Sequence, residues 1–386
     1  MAHVYGLDAA GEARLSGAGA RVRAVAAAHA ADVDAKGRFP EEARAALVKE
    51  GLFGLCIDPA LGGLGRGPGD FCAVVEDLAT ACGSSAMVYV MHVSAGAAIL
   101  ASKTVGDRDA LARAMAKGEH LTTLAFSENG SRSQFWAPVS KLAPVGDDFS
   151  TSAKKSWVTS AASADSYVSS ALAPDGSAPT LYLVRKGVAG SKISGGWQGL
   201  GLRGNDSAPV TLDGLKVAKG DLLCPVGQGV GPMLEVVLPW FAIGTAAMAN
   251  GLCRAAIAAT TTHLTEKGFE HTGTKLRDLP NLRARLAQMS VKTELSRSLL
   301  GRTVASMTNP TPETPLLVLE ARLAALEAAV DVTDLGMKAC GGAAFSKQLG
   351  LERVFRDARA GWVMAPTVDH LNDFIGRALL GMPLFG

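Results

Sequence analysis

The chain predicts an α+β protein in three parts: an N-terminal helical domain (1–118), a central small β-barrel (119–226) and a C-terminal four-helix bundle (227–386). Three observations carry this reading. Apolar residues recur at three- and four-residue spacing from about 10 to 115, as in Ala43-Leu47 and Val74-Leu78, the period of a helix with one buried face. From 121 to about 223 the texture changes to short β-type runs parted by turn residues. Past Gly227-Gln228-Gly229-Val230-Gly231 the helical period returns and persists to Leu380.

Within the first part, Gly51-Leu52-Phe53-Gly54-Leu55 and Pro59-Ala60-Leu61-Gly62-Gly63-Leu64-Gly65 are too dense in glycine to continue a helix, so they predict a loop between helices. In the second part, residues 121–126, 166–171, 181–184 and 210–212 read as strands. Gly146-Asp147-Asp148 and Pro174-Asp175-Gly176 read as turns. In the third part, Asn309-Pro310-Thr311-Pro312 and Gly341-Gly342 separate helices. Amphipathic stretches at 282–302 and 316–335, the latter carrying Leu319, Leu323, Leu326 and Val330, supply the faces of the bundle.

Composition narrows the function classes. A chain that is 48% hydrophobic and 19% charged buries a core, and a formal charge of +2 gives no field suited to a nucleic acid. Six scattered cysteines, without a CxxC or a His-Cys cluster, read as buried thiols and fit a reducing cytoplasm; no metal site is expected. The Ala-rich N-terminus is broken by Asp8, Glu12, Arg14, Arg21 and Arg23, so neither a signal segment nor a membrane span is expected there. No P-loop, HExxH or GxSxG is present, and Gly227-x-Gly229-x-Gly231 lacks the βαβ context of a dinucleotide fingerprint.

Four segments, in order, carry a resemblance: Ala125-Phe126-Ser127-Glu128, Lys155-Ser156-Trp157-Val158-Thr159, Leu200-Gly201-Leu202-Arg203-Gly204-Asn205, and Cys340-Gly341-Gly342 followed by Arg356-Asp357-Ala358-Arg359. Together they resemble the acyl-CoA dehydrogenase family over nearly the whole chain. The resemblance implies FAD, an acyl-CoA thioester substrate, and a homodimer or homotetramer in which each flavin site is completed by a neighbour. An electron-transfer flavoprotein or a flavin reductase is the implied redox partner.

By the same resemblance, Phe126 and Ser127 line the flavin ring, Trp157 covers one face, Thr159 reaches toward N5 with Ser160 beside it, and Ser133 lies near substrate and pyrophosphate. Phe241, Ala365 and Pro366 would border the substrate. Across the interface, Lys338, Gly341, Gly342, Thr367 and Asp369 stand where the family contacts FAD. The chain departs from the pattern at Asn129 for a usual proline, Gln134 for aspartate and Ser160 for asparagine, while Phe135-Trp136-Ala137-Pro138 is bulkier than usual.

The largest departure is at the base. Removing an α-proton as hydride leaves for the flavin takes a carboxylate beside Cα, and Ala365 stands at that position. An alternative family location, on the helix after the barrel, reads Leu238-Pro239-Trp240-Phe241-Ala242-Ile243-Gly244 and holds no acid either. Substitutes are His370, Asp373, Glu235 and His92, with His370 favoured for its nearness to Thr367 and its near-neutral pKa. Three readings stay open: an acyl-CoA dehydrogenase with a relocated base, a monooxygenase or oxidase on the same fold, and a silent subunit. The retained Trp157, Thr159 and Arg203-Gly204-Asn205 argue against the last.

Overall fold

The computed structural model describes residues 3–385. Its first part holds α1 (Ala9–Arg14), α2 (Ala20–Lys36), α3 (Glu41–Lys49), α4 (Pro68–Ala79), α5 (Gly83–Ala101) and α6 (Arg108–Lys117). Boundaries have local causes. α4 begins on Pro68, whose missing N–H costs nothing in a first turn. α6 stops at Gly118, with φ of 75°, a left-handed position where a Cβ would also press within 2.4 Å of the Val48 side chain. The glycine-rich run between α3 and α4 forms the expected loop, as 3-10 turns at Leu52–Gly54 and Pro59–Leu61.

The middle part is built of β1 (Thr122–Ala125), β2 (Ala143–Val145), β3 (Asp148–Val158), β4 (Ser166–Leu172), β5 (Pro179–Arg185), β6 (Ser191–Ile193) and β7 (Ala208–Val217). These strands do not close into the expected barrel. They form two open sheets, ordered β1-β4-β5 and β2-β3-β7-β6. The physical reason lies after β1, where the chain leaves the first sheet and the two sheets are linked by isolated bridges, Glu128 with Lys155 of β3 and Lys141, ahead of β2, with Leu172 of β4. Single bridges join two sheets at a corner without continuing a ladder.

β3 was not legible as a strand because its outward positions are polar: Thr151, Ala153 and Lys155 turn inward while Ser152 and Lys154 face water. The period of two therefore buries a lysine. Lys155 is wholly buried, and its ammonium donates to Glu128 at 2.6 Å and to the Ser170 carbonyl at 2.7 Å. Glu128 also accepts the N–H groups of Val139 and Ser140 at 2.8 and 2.7 Å and the Ser140 hydroxyl at 2.5 Å. Burial alone would raise its carboxyl, but Lys155 and these donors hold it below the usual range.

The last part follows a π-helical turn, Pro232–Val237, and comprises α7 (Leu238–Glu266), α8 (Pro280–Thr308), α9 (Thr314–Cys340), α10 (Gly342–Phe345), α11 (Leu351–Val363) and α12 (Val368–Leu379). α7, α8, α9 and α11 pack as the expected bundle, and α4 and α5 lie across α7. α5 and the run 232–266 are long and apolar enough to cross a membrane, yet 83% and 78% of those windows are buried in the fold. Glu76 of α4, buried, accepts from Tyr5, from Arg254 of α7 at 2.8 Å and from Arg297 of α8 at 3.1 Å, tying the first part to the last.

Removing one partner of a buried ion pair leaves the other charge uncompensated. Lys155→Met is expected to lower the unfolding free energy of the apoprotein by about 3–5 kcal/mol, measured by urea denaturation.

Candidate active site

A cavity of about 410 Å³ opens where the two sheets meet α5, α7 and α11. Its sheet side consists of Phe126, Ser127, Ser156, Trp157 and Thr159; Ser133 and Phe135 come from the loop after β1. Met87 and Met91 of α5 and Val237, Leu238 and Phe241 around the start of α7 form the helical side, and Met364, Ala365 and Pro366 the floor. Trp197, Leu202, Asn205 and Ser207 close the remaining wall. Separate stretches of the chain between residues 87 and 366 are thus brought to one place.

Trp157 gets its orientation from a fault in the sheet. The β3–β7 register slips between Lys155 and Val158, a bulge of the kind that re-aims a side chain. Trp157 accordingly has φ of 59° and is 66% exposed, with Trp197 edge-on at 5.6 Å. Ser133 (φ 66°), Ser160 (φ 60°) and Leu202 (φ 47°) share this unfavourable conformation. Strain in non-glycine residues persists only where surrounding contacts over-determine it, and here it gathers around one cavity.

The Leu202 contacts show how. Asp357 of α11 accepts the Leu202 N–H at 2.6 Å, and Trp197 Nε1 donates to the Leu202 carbonyl at 2.8 Å. Arg356 donates to the Leu200 carbonyl at 3.0 Å and grips Asp34 through both terminal nitrogens at 2.9 and 2.6 Å. A Cβ on Gly201 would sit 2.3 Å from the Arg356 carbonyl. The third and fourth sequence segments are therefore two halves of one contact. Burial pushes the Asp357 carboxyl up to about 7, with the Leu202 N–H opposing and Asp34 reinforcing the rise.

Polar groups on the wall are hydroxyls and an amide. Thr159 and Ser207 share a hydrogen bond at 3.0 Å. Asn205 Oδ1 and Ser160 Oγ are buried without a protein partner, and buried polar atoms left unpaired in the protein call for a ligand or water. Ser160 itself stands behind the wall, its N–H donating to the Asn205 carbonyl at 2.9 Å.

Among the described residues no lining side chain is ionisable. His370, the favoured substitute base, does not line the cavity: Nδ1 lies 3.1 Å from Thr367 Oγ1, and the ring packs edge-on against Trp136 at 5.2 Å and parallel to Phe374. Those contacts make it part of an aromatic cluster that also holds Phe385. Glu235 and Asp373 are exposed, the latter paired with Arg377 at 2.8 Å. His92 is buried outside the wall, stacked on Phe53, with Nδ1 facing the Thr122 N–H; burial pulls it down to about 3, so it stays neutral.

The set assigned across an interface is also apart from the cavity. Lys338 is exposed and bound to Asp334 at 2.6 Å, Gly341 and Gly342 are exposed at the end of α9, Thr367 caps α12, and Asp369 is exposed beside it. None of these five lines the cavity, although Thr367 directly follows Pro366 of its floor.

Comparison with known proteins decides the family. Models of the acyl-CoA dehydrogenase N-terminal and C-terminal domains match residues 16–119 and 227–380. The chain belongs to the acyl-CoA dehydrogenase family. It is 26% identical over 92% of its length to the Bacillus subtilis protein named "Probable acyl-CoA dehydrogenase YngJ", covering 93% of that relative. It is 25% identical over 86% of its length to the short-chain specific acyl-CoA dehydrogenase of Clostridium acetobutylicum, covering 87% of it. The fold superimposes on butyryl-CoA dehydrogenase from Megasphaera elsdenii with a TM-score of 0.91 at 21% identity, across 97% of this chain and 99% of that one.

Members of this family are FAD-binding oxidoreductases, and the cavity fits the ring: an open indole face at Trp157, hydroxyls at Ser127, Thr159 and Ser207, and the unpaired Asn205 oxygen. Met87, Met91, Trp197 and Ser207 had no signal in the sequence; Asn205 had one, as the last residue of the third segment.

Removing the stacking face should weaken flavin binding. Trp157→Ala is expected to raise the Kd for FAD roughly three- to tenfold, from about 0.5–1.5 kcal/mol of ring contact, read by flavin fluorescence titration. Because the folded Asp357 pKa lies above its unfolded value, its contribution to stability is complete below about pH 4 and is lost as pH rises to about 7. Asp357→Asn, which keeps the acceptor for Leu202, should flatten unfolding free energy across that window, measured by denaturant titration at several pH values.

Proposed function

We propose that this chain is an FAD-dependent oxidoreductase that takes a small CoA thioester into its cavity and, with its flavin reduced by a flavin reductase and not by the thioester, uses the reduced flavin with oxygen as a monooxygenase, in place of α,β-desaturation. The observation that carries this reading is the cavity wall without an ionisable side chain. Desaturation requires a positioned proton acceptor within hydrogen-bond reach of Cα, whereas an alanine and a proline occupy the floor at that place. FAD, when bound, supplies the hydride acceptor and the group that meets oxygen.

The chain's own residues do the rest. Met87, Met91, Phe126 and Phe135 exclude water from the bound acyl group. Trp157 holds a flat ring from one side, while Thr159, locked by Ser207, presents a hydroxyl at a fixed place. Phe135 is stacked parallel to Phe126 at 6.4 Å and backed edge-on by Trp136, which limits the room for a long acyl chain and supports a short one.

A second reading is dehydrogenation of an acyl-CoA, with electrons passed to an electron-transfer flavoprotein; relatives named acyl-CoA dehydrogenases support it. Both readings include a homodimer or homotetramer. Exposed apolar side chains at Leu200, Phe345 and Val363, and at Val291 and Leu295 of α8, support that assembly.

An anaerobic spectrum of the FAD-loaded protein, mixed with short, branched and aromatic acyl-CoA esters, separates the two. The expected result is no bleaching of the oxidised flavin band, with oxygen uptake once the flavin is reduced chemically. Bleaching by any ester establishes dehydrogenation instead. His370→Ala should leave every flavin signal unchanged.

A further inference from the structure

Arg322 of α9 is the largest fully buried side chain among the described residues. Its guanidinium makes one hydrogen bond, Nη2 to the Met364 carbonyl at 3.0 Å, and lies over the Phe241 ring with Cζ 4.6 Å from the centroid. Nε and Nη1 are buried with no partner. Among the described residues no carboxylate pairs with it. Burial pulls its pKa down to about 9, which leaves it cationic at neutral pH.

Such an arrangement is costly. An uncompensated buried charge costs several kcal/mol after relaxation, and two unsatisfied donors add to it. The other fully buried Lys or Arg among the described residues, Lys155, is answered by Glu128, and the half-buried Arg297 by Glu76. The two groups that Arg322 does touch, Phe241 and Met364, both line the cavity, whose wall has no charge of its own. A cation one side chain behind an apolar wall acts strongly on whatever is bound there, because little solvent intervenes to screen it.

We propose that Arg322 is the electrostatic positioning residue of this cavity, serving the negative charge that bound FAD gains when it is reduced. Two electrons and one proton entering the flavin leave one negative charge on the ring, and a nearby fixed cation favours that form. The cation therefore raises the reduction potential of the bound flavin. The proposal rests on the flavin assignment and not on the choice between oxygen chemistry and desaturation.

The test is an anaerobic, dye-coupled reductive titration of the FAD-loaded protein and its Arg322→Met and Arg322→Lys variants, which involves no thioester. The midpoint potential should fall in the Met variant and stay near the parent value in the Lys variant, where the charge is kept. One potential shared by all three overturns the proposal and leaves Arg322 as a strut for the 364–366 turn. An equal fall in both variants overturns it too, since it reports lost shape rather than lost charge. Should the Met variant not fold, Arg322→Gln against Arg322→Lys makes the same comparison.

Discussion

The contact between Lys155 and Glu128 sets the position of nearly everything on the sheet side of the cavity. β3 must turn Lys155 inward because its neighbours alternate, and an inward ammonium is tolerable only against a carboxylate with further donors around it. Glu128 meets that need and, through Ser140 and Val139, draws in the far end of the loop that carries Ser133 and Phe135. Two residues beyond Lys155 the register slips and Trp157 turns out. One ion pair thus joins the two open sheets, closes the loop and places the bulge.

A comparable constraint works from the helical side. Arg356 and Asp357 hold the 200–202 backbone against α11, and Arg356 reaches on to Asp34 of α2. The strained conformation of Leu202 is supported by the rigid helices on which it rests. A cavity framed by fixed helices and a buried ion pair is preorganised, so little ordering is left for a ligand to impose.

Against this frame the chemistry of the wall is sparse. Hydroxyls, one amide and apolar side chains suit a flat heteroaromatic ring, but no lining group takes or gives a proton near neutral pH. A charge without a counter-charge lies behind the wall, in Arg322, close enough to act on bound species without exchanging protons with them. The family scaffold is retained around a wall that, among the described residues, has no ionisable side chain.

Much of this could be read from the chain. The helix, strand, helix order follows from hydrophobic period, and the segments carrying Phe126, Trp157 and Asn205 are local runs whose spacing survives in one dimension. The alanine at 365 was equally plain, since residue identity needs no structure. What tertiary structure alone decided is which distant residues share a space. Whether His370 enters the cavity depends on the aromatic cluster of Trp136, Phe374 and Phe385, assembled from separate parts of the chain. Whether strands close a barrel depends on how many ladder bonds span a corner. Arg322 looks like any other arginine on an amphipathic helix until packing shows it buried without a counter-charge, because burial and pairing are properties of neighbours that sequence order does not specify.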